Sequence, residues 1–235
     1  LEKKLGTTDT ENKGYKVYTS LDQSKQEIAE RQVKAGLTKL SYRGASNAAV
    51  VIANPKTNEI LAMVGGTDWE TSKVNVATSE RQPGSSFKPI VYTTALEKGY
   101  TAATILNDKY VNFGGTPAYI PRNYNGGYSG YVTVRKALAR SLNIPAVEMG
   151  KLVGIDNVVN MAHNLGITTI NKGAENYGLS LSLGSGEVKL IDMVEVYSTF
   201  ADEGKRSTQT AILKVLDNKD DQILKEKRKK QQVIS

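Results

Sequence analysis

Pro83 and Gly84 place a turn immediately before Ser85-Ser86-Phe87-Lys88-Pro89, and this turn-to-helix junction, beginning at Arg81, constrains the chain more than any other stretch. Residues three apart on a helix share a face. A helix starting at Ser85 therefore sets the amine of Lys88 beside the hydroxyl of Ser85. A free lysine is protonated at neutral pH and cannot accept a proton. Burial disfavours the charge, and so does the positive end of the helix on which Lys88 sits. A neutral Lys88 would take the proton from Ser85 and leave a nucleophile. Serine and lysine are common residues, and Ser-x-x-Lys also recurs by chance in chains of this size.

A second element lies downstream. Ser141-Leu142-Asn143 follows the helical pattern Thr133 to Arg140 and precedes Ile144-Pro145, where the residue before proline is pushed out of helical geometry. Ser141 and Asn143 are thus predicted on a turn between two helices. Such a turn can aim a hydroxyl and a carboxamide at one point, the first to relay a proton and the second to hold a substrate amide. The same residues also suit a helix end and an ordinary turn.

Elsewhere the pattern is mixed. Tyr15 to Thr19 alternates like a strand, and Ser20-Leu21-Asp22 opens a helix with an apolar stripe at Ile28, Ala29, Val33 and Leu37. Ala48 to Ala53 and Glu59 to Val64 read as a hairpin across Asn54 to Asn58. The Ser85 helix is predicted to run to about Lys98, with Pro89 tolerated near its first turn. Thr101 to Gly130 is rich in Gly, Asn, Tyr and Pro and reads as surface loop, although Tyr119, Tyr124 and Tyr128 suit the wall of a peptide cleft. Helices are predicted over 132–140, 145–153, 156–165 and 188–201, and a last hairpin over 211–224. Strands early and late with helices between predict an α+β fold, an antiparallel sheet flanked by helices together with an all-helical lobe, the serine at their junction.

Charge and composition narrow the function. The net charge of +7 suggests nucleic acid, but much of the excess sits in Lys225 to Lys230, which has no aromatic residue for base stacking and reads as a solvated turn or tail. No nucleic-acid partner is expected. His163 is the one histidine and there is no cysteine, so neither a metal site, nor a thiolate nucleophile, nor a disulfide framework is expected. No cofactor is expected. The N-terminal Leu1-Glu2-Lys3-Lys4-Leu5 lacks the apolar run of a signal peptide.

From about Tyr15 onward the chain resembles the transpeptidase domain of penicillin-binding proteins, most closely the bifunctional class A type. The resemblance rests on Asn54 to Gly66, Arg81 to Pro89, Asn123-Tyr124-Asn125-Gly126, Val132 to Val147, Leu183-Gly184-Ser185-Gly186-Glu187 and Tyr197 to Ala201. It implies residues 1–14 as a linker and 15–235 as a partial transpeptidase domain. It also implies an enzyme that cross-links peptidoglycan stem peptides through a serine ester and is acylated by β-lactams on the outer face of the bacterial plasma membrane, with the anchor outside this sequence. Catalysis falls to Ser85, Lys88 and Ser141, and substrate binding to Asn143.

One departure stands out. The family's third motif, Lys-Thr-Gly or Lys-Ser-Gly, occurs nowhere downstream of Ser141, so the resemblance predicts a chain that stops before the strand carrying it. That strand supplies an oxyanion donor and the carboxylate-binding lysine. The chain alone is therefore expected to be a weak enzyme unless a second chain or a further segment completes the sheet. A D,D-carboxypeptidase, a serine β-lactamase using Glu148, Glu175 or Glu187, and a non-catalytic penicillin sensor or scaffold remain open alternatives.

Overall fold

A computed structural model describes every residue except Thr7, Asp9, Asn12 and Thr71. The chain divides into two compact units, residues 1–79 with 190–233 and residues 80–189 with 234–235. In chain order the first unit contributes α1 (Glu2–Leu5), β1 (Lys16–Thr19), α2 (Gln23–Leu40), β2 (Val50–Ala53) and β3 (Ile60–Val64). The second contributes β4 (Glu80–Arg81), α3 (Lys88–Glu97), β5 (Ile105–Asp108), β6 (Gly130–Thr133), α4 (Val134–Ala139), α5 (Asn143–Val153), α6 (Ile155–Asn164) and β7 (Val188–Lys189). The chain returns to the first unit with α7 (Leu190–Ala201), β8 (Lys205–Ser207), β9 (Ile212–Leu216), β10 (Gln222–Lys225) and β11 (Lys230–Gln232). Its class is mixed α+β, as the sequence predicts.

In the first unit β9 pairs antiparallel with both β1 and β10, and β2 with β3. Helix α2 starts at Asp22, whose carboxylate caps the Lys25 N–H at 3.1 Å. Ala29 and Val33, four residues apart, pack on Ala62 and Val64 of β3. Ile28, expected in the same stripe, is 46% exposed because it lies one residue round the helix from that contact. Gln26 bridges the backbone of Met63 through its N–H and its carbonyl, fixing α2 against the strand.

Lys225 and Lys227 to Lys230 are exposed, as expected of a solvated turn, and the segment links β10 to β11. Lys230 pairs with Asp202, which also holds Lys56, and Arg228 pairs with Glu59. Lys230, Gln231 and Gln232 form β11 against β8. These cations find carboxylates more than twenty residues away, so local sequence gives no sign of the pairing.

The second unit is built on α3, α5 and α6. Phe87, Ile90, Val91, Ile144, Val147, Met149, Val158, Ala162 and Leu165 are fully buried within it. Two short ribbons, β4–β7 and β5–β6, accompany the helices. Thr101 to Gly130, read as loop, contains β5. Its inward positions are Leu106 and Asp108, and a carboxylate at the second hides the apolar alternation. Strand β6 takes residues expected at a helix start, and α4 begins two residues later with Thr133 as cap. Helix α5 begins at Asn143 and not at Pro145, because proline is tolerated within a first helical turn.

Helix α5 crosses the 178–183 turn closely. A methyl group added at Gly150 would lie 2.0 Å from the Ser182 hydroxyl oxygen. Gly150→Ala is expected to lower stability by about 1–3 kcal/mol through overpacking, seen as a lower denaturant midpoint with unchanged slope; an unchanged midpoint would refute the close approach.

Candidate active site

Ser85 lies in a single 3-10 turn, Gly84–Phe87, that runs into α3. The sequence predicts one helix from Ser85, and Pro89 explains the difference. With no N–H of its own, proline cannot reach back four residues to the Ser85 carbonyl, so the Lys88 N–H takes that carbonyl at three residues. A 3-10 turn repeats every three residues, which aligns Ser85 and Lys88 along one edge. Ser85 is exposed, while Lys88 is wholly buried.

A second glycine turn backs the first. Gly184 sits at φ 75°, and its carbonyl accepts from the Gly84 N–H at 3.3 Å. A methyl group on Gly184 would fall 2.2 Å from the Gly84 carbonyl oxygen. The Leu183 to Glu187 segment, for which the sequence suggested no task, buttresses the serine turn.

The amine of Lys88 donates to the Ser141 carbonyl at 2.7 Å, to the Ser141 hydroxyl at 3.1 Å and to Asn143 Oδ1 at 2.7 Å. Three acceptors match the three hydrogens of an ammonium. Burial nevertheless lowers the Lys88 pKa to about 8. At pH 7 roughly one molecule in ten then carries a neutral lysine. Among the described residues the Ser85 hydroxyl makes no hydrogen bond. The fold thus joins Lys88, Ser141 and Asn143 directly and leaves Ser85 open on the turn that Lys88 closes.

Ser141 reaches Lys88 because α4 ends abruptly. The Leu142 N–H bonds the Ala137 carbonyl and the Ser141 N–H bonds the Leu138 carbonyl, the two bonds of a Schellman stop. Ser141 occupies the left-handed position of that stop, φ 52°, where glycine is usual. The strained backbone turns both oxygens of Ser141 towards Lys88. Asn143 is held on two further sides, its Nδ2 donating to the Arg122 carbonyl at 2.7 Å and its backbone N–H to Asn123 Oδ1 at 2.8 Å. Asn123 appears in the sequence reading only as part of the Asn123-Tyr124-Asn125-Gly126 match. Its position in a polar turn was the one available signal.

The other candidates lie apart from this cluster. Glu148 accepts from the Asn107 N–H at 3.1 Å. Glu175 is exposed and accepts from Asn176. The His163 ring nitrogen lies 2.6 Å from the Ile170 carbonyl. Tyr119 packs near Phe113, whereas Tyr124 is fully exposed and Tyr128 about half exposed.

A mixed α+β fold with a buried lysine between an exposed serine and a Ser-x-Asn turn defines a serine-lysine constellation. The chain belongs to the family of the penicillin binding protein transpeptidase domain, which residues 48–235 match. It is 35% identical over 224 residues to penicillin-binding protein 2D of Bacillus subtilis, covering 92% of this chain and 31% of that protein. It is 36% identical over 174 residues to penicillin-binding protein 1A of Neisseria meningitidis, covering 72% and 21% respectively. The chain thus spans a third or less of the length of these relatives. Among solved structures, penicillin-binding protein 1A of Haemophilus influenzae superposes with a TM-score of 0.86 at 21% identity, over 98% of this chain and 49% of that one. The PonA1 protein of Mycobacterium tuberculosis, in complex with penicillin V, gives 0.82 at 23% identity over 100% and 62%.

The left-handed serine generates a test. Ser141→Gly and Ser141→Ala both remove a hydroxyl from Lys88, and only glycine relieves the backbone strain, so Ser141→Gly should be the more stable of the two by about 1 kcal/mol. Equal melting temperatures for the two variants would show that the position is not strained.

Proposed function

We propose that this chain is the acylating part of a peptidoglycan D-Ala-D-Ala transpeptidase. The observation that carries the reading is the shell around Lys88: a buried amine with a depressed pKa, held by Ser141 and Asn143 and one turn from an unpartnered serine hydroxyl. Neutral Lys88 takes the proton as Ser85 Oγ bonds to the carbonyl carbon of the penultimate D-Ala. The resulting ammonium returns that proton, through the Ser141 hydroxyl, to the amine of the departing terminal D-Ala as the peptide bond breaks. Asn143 orients the amide on the acyl side. The amine of a neighbouring stem peptide then displaces Ser85 from the ester, making the cross-link and restoring the hydroxyl.

The family membership supports this substrate, and so do relatives of the same fold. The M. tuberculosis penicillin-binding protein A forms an imipenem acyl-enzyme complex. A β-lactam presents a strained amide to the same serine, so this chain is read as a β-lactam target. Its working side is read as the outer face of the plasma membrane; among the described residues no helix is long and apolar enough to cross a membrane. The Ser85 N–H offers one oxyanion donor. The sequence has no Lys-Thr-Gly to offer a second, and a missing donor typically slows acylation by a hundredfold or more, so slow acylation of the isolated chain is expected unless another segment or chain completes the site.

Intact-mass analysis after incubation with a fluorescent penicillin tests the reading. The chain should gain the mass of one ring-opened penicillin and hold it, and Ser85→Ala should gain none. An adduct that survives Ser85→Ala contradicts the nucleophile, and rapid release of hydrolysed penicillin points to a β-lactamase. Labelling confined to a version extended through a third motif shows an incomplete site.

The pH dependence follows from Lys88. Below its pKa the reactive neutral form grows about tenfold per pH unit, so acylation should rise with pH and level off above about 8. A rate independent of pH between 6 and 9 would remove Lys88 as the base.

A further inference from the structure

The inner end of β5 holds a carboxylate that the proposed chemistry does not use. Asp108 is wholly buried, and no cation pairs with it among the described residues. Its oxygens accept instead from Asn123 Nδ2, at 2.8 and 3.0 Å, and from the Ser129 N–H at 2.8 Å. Burying a lone carboxylate is unfavourable, and an apolar side chain would serve packing alone at less cost. The arrangement therefore calls for a purpose.

That purpose lies in the direction of one carboxamide. Asn123 Nδ2 has two hydrogens, and both are committed, to Asp108 and to the Gly127 carbonyl at 2.9 Å. Asn123 Oδ1 is thereby forced to the opposite side, where it accepts the Asn143 N–H. Asn143 is the first residue of α5, and Leu142 before it provides no side-chain cap. Asn123, twenty positions away, satisfies a donor that the start of a helix leaves unpaired. The Asn143 side chain is oriented in turn: Nδ2 is taken by the Arg122 carbonyl, so Oδ1 faces Lys88. We infer that Asp108 is a positioning residue, whose carboxylate sets the direction of the Asn123 carboxamide and through it holds Asn143 against Lys88.

The inference deepens the proposed function and takes from it the meaning of Lys88, but the contacts themselves do not depend on turnover. The titratable groups around α3 include Tyr92 on α3, Arg140 at the end of α4, Glu148 on α5 and Asp108 itself. Burial is the cause of the lowering at Lys88, and the hydrogen bonds that connect Asp108 to Lys88 run through the two carboxamides.

The test is the NMR titration of the Lys88 side chain in the full chain, assigned by loss of the signal in Lys88→Arg. Asp108→Asn offers one acceptor oxygen in place of two and lets Asn123 turn its nitrogen towards the Asn143 N–H. Asn143 then leaves the ammonium, and the Lys88 midpoint should fall from about 8 by half a unit or more. In an Asn143→Ala background, Asp108→Asn should shift it no further. An unchanged midpoint in folded Asp108→Asn overturns the proposal, even if the melting temperature falls. A shift of equal size in the Asn143→Ala background also overturns it, since Asp108 would then act as a charge through space. If Asp108→Asn does not fold, Asn123→Ala in the same two backgrounds decides by the same criteria. Because the titration reads a proton and not an adduct, failure of penicillin labelling and failure of this proposal are separate results.

Discussion

Enclosing one ammonium group organises the second unit of this chain. An isolated charge taken out of water is unfavourable by several kcal/mol unless protein acceptors replace the lost hydration. Lys88 receives three, two from Ser141 and one from Asn143. Two come from the short link between α4 and α5 and the third from the first residue of α5, so the helices must pack correctly before the charge is satisfied. When Lys88 loses its proton it keeps two hydrogens and gains a lone pair, and one contact must reverse. A carbonyl and a carboxamide oxygen only accept, whereas a hydroxyl can turn and donate. Ser141 is therefore the one partner in the shell able to follow the proton, which is the property a relay requires.

Local conformational preference is overruled where this shell is built. A left-handed residue after a helix is ordinarily glycine, yet position 141 holds serine. Glycine appears instead at 84 and 184, where two backbones approach too closely for any side chain on Gly184. Serine at 141 conflicts with ease of folding at its own site, whereas Gly84 and Gly184, at φ 56° and 75°, suit theirs. Such conflicts gather where a chain has something other than stability to maintain. The geometry agrees, since both turns border the exposed serine.

Much of this was legible in the sequence, for identifiable reasons. The hairpin over residues 48–64 and the α2 start at Asp22 carry strong local signals, an apolar run across a turn and an acidic cap. The grouping of Lys88, Ser141 and Asn143 followed from their matching the motifs of one family, since nothing local relates residue 88 to residue 141. Strand β5 was missed because an inward aspartate breaks the apolar alternation. The Asp108–Asn123 link was missed because its halves lie on a strand and in a Gly- and Tyr-rich loop, and neither residue type implies the other. The ion pairs of Arg228 and Lys230 were not legible for a related reason, as their acidic partners are remote in sequence.

The placement of these polar groups shows how the second unit reconciles order with stability. Asp108, Asn123 and Asn143 are joined by hydrogen bonds at the start of α5, whereas Ile144, Val147 and Met149 further along that helix are completely buried among apolar neighbours. The same helix thus supplies cohesion from its body and orientation from its first residue. Apolar packing holds a helix in place but is indifferent to which way a carboxamide faces. Hydrogen bonds with fixed donors and acceptors make that distinction, at a cost in burial that the rest of the helix offsets. Apolar residues in place of Asp108 and Asn123 would leave Asn143 free to turn. The buried polar chain is what gives the lysine a defined acceptor on that side.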